Sequence, residues 1–172
     1  DAGNVNEGEN ATFNVSLDKA VDADTTLTFT LGGEIEDGDI GEPTVTINGQ
    51  DVTVTKNADG SYSVTVPAGT TDGIVVTVPT TDDDVFEGNE DFTLDATLTG
   101  QTASGTDLPA GITDSGNATI VDGDGGNVPV LTVDDAGNVN EGENATFNVS
   151  LDKAVDADTT LTFTLGGEIE DG

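Results

Sequence analysis

The sequence predicts an all-β chain folded as a two-sheet sandwich. Val, Ile, Leu and Phe recur in short runs that alternate with Thr, Asn and Ser; Gly, Asn and Asp punctuate those runs; and no segment keeps helical periodicity over three turns. Alternation with period two puts successive side chains on opposite faces of a strand, so one apolar face can be buried while the other stays wet. That pattern argues against a solvated disordered chain, which low aromatic content and high charge would otherwise favour.

The strands follow in order. Phe13, Val15 and Leu17 point one way against Thr12, Asn14 and Ser16, and Leu27, Phe29 and Leu31 alternate likewise with Thr26, Thr28 and Thr30. Further strands are expected at Val45–Ile47, Val52–Val54, Tyr62–Val66, Ile74–Val78, Phe92–Leu98, Ala118–Ile120 and Leu131–Val133. Asn48-Gly49 and Asp59-Gly60 lie between alternating runs, where tolerance of positive φ suits tight hairpins. About nine short strands at roughly ten-residue spacing fit two packed sheets.

Residues 1–38 recur without a mismatch as residues 135–172, a period of 134 residues. A period that long is a whole domain, not a solenoid unit. Residues 1–126 are expected to form one sandwich repeat lacking its leading strand, because the strand Leu131–Val133 directly precedes the second Asp-Ala-Gly. Residues 127–172 are then a linker and the first strands of the next repeat, too few to bury two sheet faces. Such a partial copy frays or completes the open edge of another molecule, giving strand-swapped or end-to-end association. The chain opens on Asp1 without a signal-peptide pattern and contains no Met, so it is expected to be a piece of a longer secreted protein.

Of the 172 residues 35 are acidic and three basic, giving a net charge of −32 with no Arg, His or Cys. Cysteine nucleophiles, histidine bases, thiolate zinc sites and disulfides are excluded, and nucleic acid and anionic membranes would be repelled. No apolar run approaches the ~18 residues of a membrane span. The acids cluster in four loops: Glu34-Ile35-Glu36-Asp37-Gly38-Asp39; Asp82 through Phe92; Asp122-Gly123-Asp124-Gly125-Gly126-Asn127; and Asp134-Asp135 leading to Asn138 and Glu141, whose first-copy equivalents are Asn4 and Glu7. Carboxylates converging on glycine-rich loops without a lysine suit a hard cation with six to eight oxygen ligands, and Ca2+ is the natural candidate.

These residues resemble the Calx-β family, an immunoglobulin-like sandwich of sodium–calcium exchanger regulatory domains and of tandem extender repeats in giant bacterial RTX adhesins. The resemblance rests on Val5-Asn6-Glu7-Gly8, Gly38-Asp39-Ile40, the segment from Asp83 to Phe92, and Ile120-Val121-Asp122-Gly123-Asp124. It implies Glu7, Asp39, Asp83, Glu87, Glu90, Asp122 and Asp124 as calcium ligands, with Gly123 interrupting the terminal run. The tandem identity, acidity and lack of cysteine look more like the adhesin branch. The resemblance therefore implies a secreted, cell-surface, calcium-stiffened stalk without catalysis, its partners being adjacent identical repeats.

Other readings compete. The acidic loops can be solvated faces that keep the protein soluble. Asp83 and Glu87 resemble a glycosidase pair only superficially, since no Trp and one Tyr leave little sugar platform. The Thr-x-Thr runs are ordinary strand surface, Asp122-Gly-Asp-Gly-Gly occurs once per repeat and lacks the Glu of an EF-hand, and the two Asn-Ala-Thr sequons are common by chance. A module that grips carbohydrate or protein through bound calcium is the functional alternative to the stalk, and an intracellular calcium sensor is a third reading.

Overall fold

The computed structural model describes residues 1–122 and 127–167. Its strands are β1 (Gly3–Asn6), β2 (Asn10–Val15), β3 (Thr25–Gly33), β4 (Thr44–Ile47), β5 (Gln50–Val52), β6 (Thr55–Lys56), β7 (Tyr62–Val66), β8 (Ile74–Pro79), β9 (Val85–Phe86), β10 (Glu90–Gly100), β11 (Thr113–Val121), β12 (Leu131–Val133), β13 (Val149–Leu151) and β14 (Ala154–Val155). No helix occurs among the described residues, and none is long and apolar enough to cross a membrane.

Two sheets form the sandwich. One has the order β1-β11-β10-β3-β7-β6 and the other β2-β8-β4-β5. Pairing within them is antiparallel except for β1 with β11, which run parallel with Val5 opposite Ile120. The alternation read from sequence becomes burial. Leu27 and Phe29 of β3, Val64 and Val66 of β7, and Phe92, Leu94 and Leu98 of β10 face Phe13, Val45, Ile47, Ile74, Val76 and Val78 of the second sheet in one core. Phe13 and Phe92 meet edge to face at 5.8 Å, while Phe29 stacks on Tyr62 at 5.5 Å. Both arrangements suit the aromatic quadrupole.

The expected strands are present with shifted bounds. The Phe92–Leu98 and Ala118–Ile120 strands extend to Glu90–Gly100 and Thr113–Val121, because their polar ends pair along the full length of a neighbour: Thr97 opposite Thr113 and Gly100 opposite Thr25. The strand expected over Val52–Val54 ends at Val52, since the two-residue Asn48-Gly49 turn sets Gln50 opposite Ile47 and pairing stops at Val45 opposite Val52. Both turn residues have positive φ, 52° and 75°, as a type I′ hairpin requires. Asp59-Gly60 sits instead in a longer loop, where Asp59 Oδ1 accepts from Ser61 N–H at 3.0 Å and Gly60 N–H donates to Asn57 O at 3.1 Å.

The incomplete second copy is attached differently from the first. β12 pairs with β13, placing Leu131 opposite Leu151 and Val133 opposite Val149. β14 lies parallel to β9, with Ala154 opposite Val85. The third strand of that copy does not form: residues 159–167 carry no strand, although the same sequence is β3 in the first copy. β3 is held between β10 and β7, and no such pair flanks residues 159–167.

Candidate metal centre

Four loops converge at one pole of the sandwich. The turn after β1 brings Glu7, whose N–H donates to Val121 O at 3.2 Å. The parallel register of β1 on β11 therefore sets Glu7 beside Asp122. Thr80 ties this turn down: its hydroxyl donates to Asn6 O at 3.2 Å and Glu9 O at 2.9 Å, and its N–H donates to Glu9 O at 2.9 Å. The loop after β3 delivers Asp39, whose carbonyl accepts Thr81 N–H at 2.8 Å and whose carboxylate accepts the Glu36 N–H. The segment from β9 into β10 supplies Glu87 and Glu90, and Glu90 is fixed opposite Ile120 as β10 begins.

One carboxylate oxygen from each of Asp39, Glu87 and Glu90 lies within 4.8 Å of the others. They share a cleft of about 210 Å³ with Glu7, Asp83, Glu36 and Asp37, and no lysine lines it. Asp122 is 7 % exposed. Its Oδ2 accepts from Glu87 N–H at 2.9 Å and Gly88 N–H at 2.8 Å, while its Oδ1 is buried with no hydrogen-bond partner among the described residues. A buried carboxylate oxygen without a donor is strongly disfavoured unless a cation meets it.

The electrostatics reflect that shortage of positive charge. Burial, reinforced by the charges of Asp122, Asp83, Glu87 and Asp82, pushes Glu7 up to about 7. Burial, with the Asp39 charge and a hydrogen bond to Asp39 next, pushes Glu90 up to about 7 as well. Glu87 is raised by burial first and then by Asp39, Asp83, Asp156 and Glu36. Carboxylates raised by both burial and like-charged neighbours are held in a place made favourable by protons or by a cation.

The sequence-derived candidates separate accordingly. Asp39, Glu87 and Glu90 come together; Glu7 and Asp83 line the same cleft; Asp122 stands against Glu7 and holds the Glu87-Gly88 backbone. Asp83 spends one oxygen on Val85 N–H at 2.7 Å. Asp124 lies outside the described residues. Asp134, Asp135, Asn138 and Glu141 sit on exposed backbone and do not line the cleft, although Glu141 is the sequence counterpart of Glu7.

Sequence reasoning did not nominate Asn127, a buried residue whose Nδ2 donates to Glu7 Oε2 at 3.0 Å, nor Asp156, which reaches the pole because β14 pairs with β9. Asn127 closes the third acidic run and could have been noticed there; the approach of Asp156 depends on docking between copies and leaves no local signal.

No family model matches the chain, and no curated protein matches it in sequence. Among solved structures the chain is similar to ACE19, the collagen-binding subdomain of the Enterococcus faecalis surface protein ACE, at 9 % identity over 66 % of this chain and 86 % of that chain, with a TM-score of 0.31. A likeness of that size carries no argument about ligand or activity.

Proposed function

We propose that this chain is a non-catalytic, calcium-stabilised extender repeat of a bacterial surface adhesin, a stalk element that projects a distal ligand-binding region from the cell. The observation that carries the calcium part is Asp122: a buried carboxylate with one oxygen that has no hydrogen-bond partner among the described residues, adjoining a group of acids with no basic side chain among them. Glu7, Asp39, Glu87, Glu90 and Asp122 offer hard oxygen donors of the kind Ca2+ prefers. Bound calcium would stabilise the folded state by RT ln(1 + [L]/Kd), about 2.7 kcal/mol at a hundredfold excess over Kd, against a typical domain stability of about 5–15 kcal/mol.

The stalk part is supported by the repeat and by where the second copy attaches. β14 pairs with β9, Lys153 bridges to Asp84, and the Asp156 charge acts on Glu87, so the described part of the second copy lies against the acidic pole, which supports a joint between repeats there. An ion there would stiffen the joint between beads as well as each bead. Among the described residues the cleft is lined by acids with Gly38, Thr81 and Ile120 and has no aromatic platform, which favours a structural ion over one that presents a sugar.

Small-angle scattering of a chain carrying two full periods tests this reading. Calcium should extend its maximum dimension and narrow its distribution of shapes relative to chelator. Identical scattering in both conditions rejects the stalk; a rise in melting temperature without a change in shape leaves a calcium-stabilised binding module in its place.

A further inference from the structure

β9 is a strand without a partner in its own sandwich: it belongs to neither of the two sheets, and among the described residues its one strand neighbour is β14 of the second copy. It lies in the middle of the period, between β8 and β10, and its ends are fixed by acids of the pole. Asp83 Oδ1 accepts Val85 N–H at 2.7 Å, and Asp122 Oδ2 accepts the N–H groups of Glu87 and Gly88. Between them Phe86 O accepts Asp156 N–H at 3.4 Å.

The segment seated on β9 is the second copy of the turn between β2 and β3: residues 18–22 recur as residues 152–156. Between residues 135 and 167 Ala136, Lys153 and Val155 are half-buried and every other residue is exposed, so cover on the second copy concentrates at this contact. The Lys153 ammonium donates to Asp84 Oδ1, and its side chain is 23 % exposed where that of Asp84 is 91 % exposed. The lysine stem is thus covered, unlike that of an ordinary surface ion pair.

A complete repeat can make the same contact. In the first copy residues 18–22 stand at the pole opposite the acidic one, where Val21 O accepts Gly69 N–H at 2.8 Å and the carboxylates of Asp22 and Asp24 accept Ala103 N–H at 2.7 Å and Ala68 N–H at 2.9 Å. A parallel ladder bonds through alternate residues, so with Asp156 N–H on β9 the main chain of Val155 points away from it and stays available for the bond that Val21 makes. Lys19, the counterpart of Lys153, is exposed at that pole.

We propose that residues 18–22 of each repeat form a tongue that seats on β9 of the repeat before it, and that Lys19, seen in its seat as Lys153, is the charge that selects this seat. The inference rests on the stalk reading above and names the partner of the acidic pole and the residue that recognises it. Of the two lysines in a period, Lys56 is paired with Glu42 within the sandwich, which leaves one base to recognise a pole carrying Asp82, Asp83 and Asp84. One lysine among acids sets direction more than strength, because acidic pole against acidic pole brings like charges together. The contact uses no ion, so calcium stiffens a joint already made.

A spin label on Ala157→Cys, in a chain that otherwise has no cysteine, tests this through broadening of the Val85 and Phe86 amide resonances in chelator. The labelled chain should show that broadening. Lys153→Glu and Asp84→Lys should each lower the docked fraction at least about fivefold, and the two together should restore it. The same label in a chain of two full periods should broaden the same amides. Absence of broadening in either chain overturns the proposal, as does broadening that survives both reversals or a double variant that stays undocked. Docking in chelator with no response to calcium keeps the tongue and rejects the calcium reading; a calcium response without docking does the reverse.

Discussion

Residues 1–33 and 135–167 have the same sequence and different structures. Phe13 is 2 % exposed and its counterpart Phe147 51 %; Phe29 is 1 % exposed and Phe163 77 %. The first stretch holds three strands of a sandwich, whereas the second holds β13 and β14 and leaves residues 159–167 without a strand. Alternation is therefore a capacity for a half-buried strand. β7, β8 and β10 turn that capacity into structure in the first copy by supplying hydrogen-bond partners and an apolar face, and the described part of the second copy has no counterparts of them.

The largest expected difference between the copies is in the core. Phe29→Ala should destabilise the sandwich by about 3–5 kcal/mol, while Phe163→Ala should change it by less than about 0.5 kcal/mol, both read from urea midpoints. Equal losses would mean that the second copy also folds around a core. A smaller contrast is expected at the glycine pair. A Cβ on Gly33, at φ 129°, would lie 2.4 Å from Asp91 O, whereas one on Gly167, at φ 109° but outside any strand, meets nothing within 4 Å among the described residues. Gly33→Ala should cost about 2–3 kcal/mol and Gly167→Ala a small fraction of that.

The acidic pole sharpens the same contrast chemically. Glu7→Gln should remove most of the calcium-dependent rise in melting temperature, a term of about 2.7 kcal/mol at hundredfold excess, and Glu141→Gln should leave it intact. The smallest effect is on pH dependence without metal. Glu7 and Glu90 stand near 7 in the folded chain against an ordinary 4.5, so between those values the folded state holds protons that the unfolded chain has released. Metal-free stability is then greatest below about pH 4.5 and falls as pH rises through 7. Thermal scans in chelator across that range should show the decline. Glu7→Gln should flatten it, and Glu141→Gln should not.

What was legible in the sequence follows the same division. Most strands of the sandwich were, because Leu27-Thr28-Phe29 and Tyr62-Ser63-Val64 carry their own periodicity; β1 and β6, too short to show one, were not. The ends of the strands were not either, because Thr97 opposite Thr113 is a cross-strand fact. Among the candidate ligands, Glu7, Glu87, Glu90 and Asp122 meet at one pole because each adjoins or begins a strand there, and Asp39 and Asp83 reach it on the loops that follow β3 and β8. Asp134, Asp135, Asn138 and Glu141 carry an equivalent local pattern without a sandwich beneath them, and they stay exposed. The buried, half-satisfied state of Asp122 was invisible in the chain, since it depends on the Glu87-Gly88 backbone arriving from 34 and 35 residues away.

Calcium titration of the 172-residue chain near pH 7.5, followed by its melting temperature with a chelator reference and an Asp122→Asn variant, bears most directly on the acidic pole. A saturable rise of several degrees in the natural sequence, greatly diminished in the variant, is the expected result. A melting temperature unchanged between calcium and chelator would contradict it.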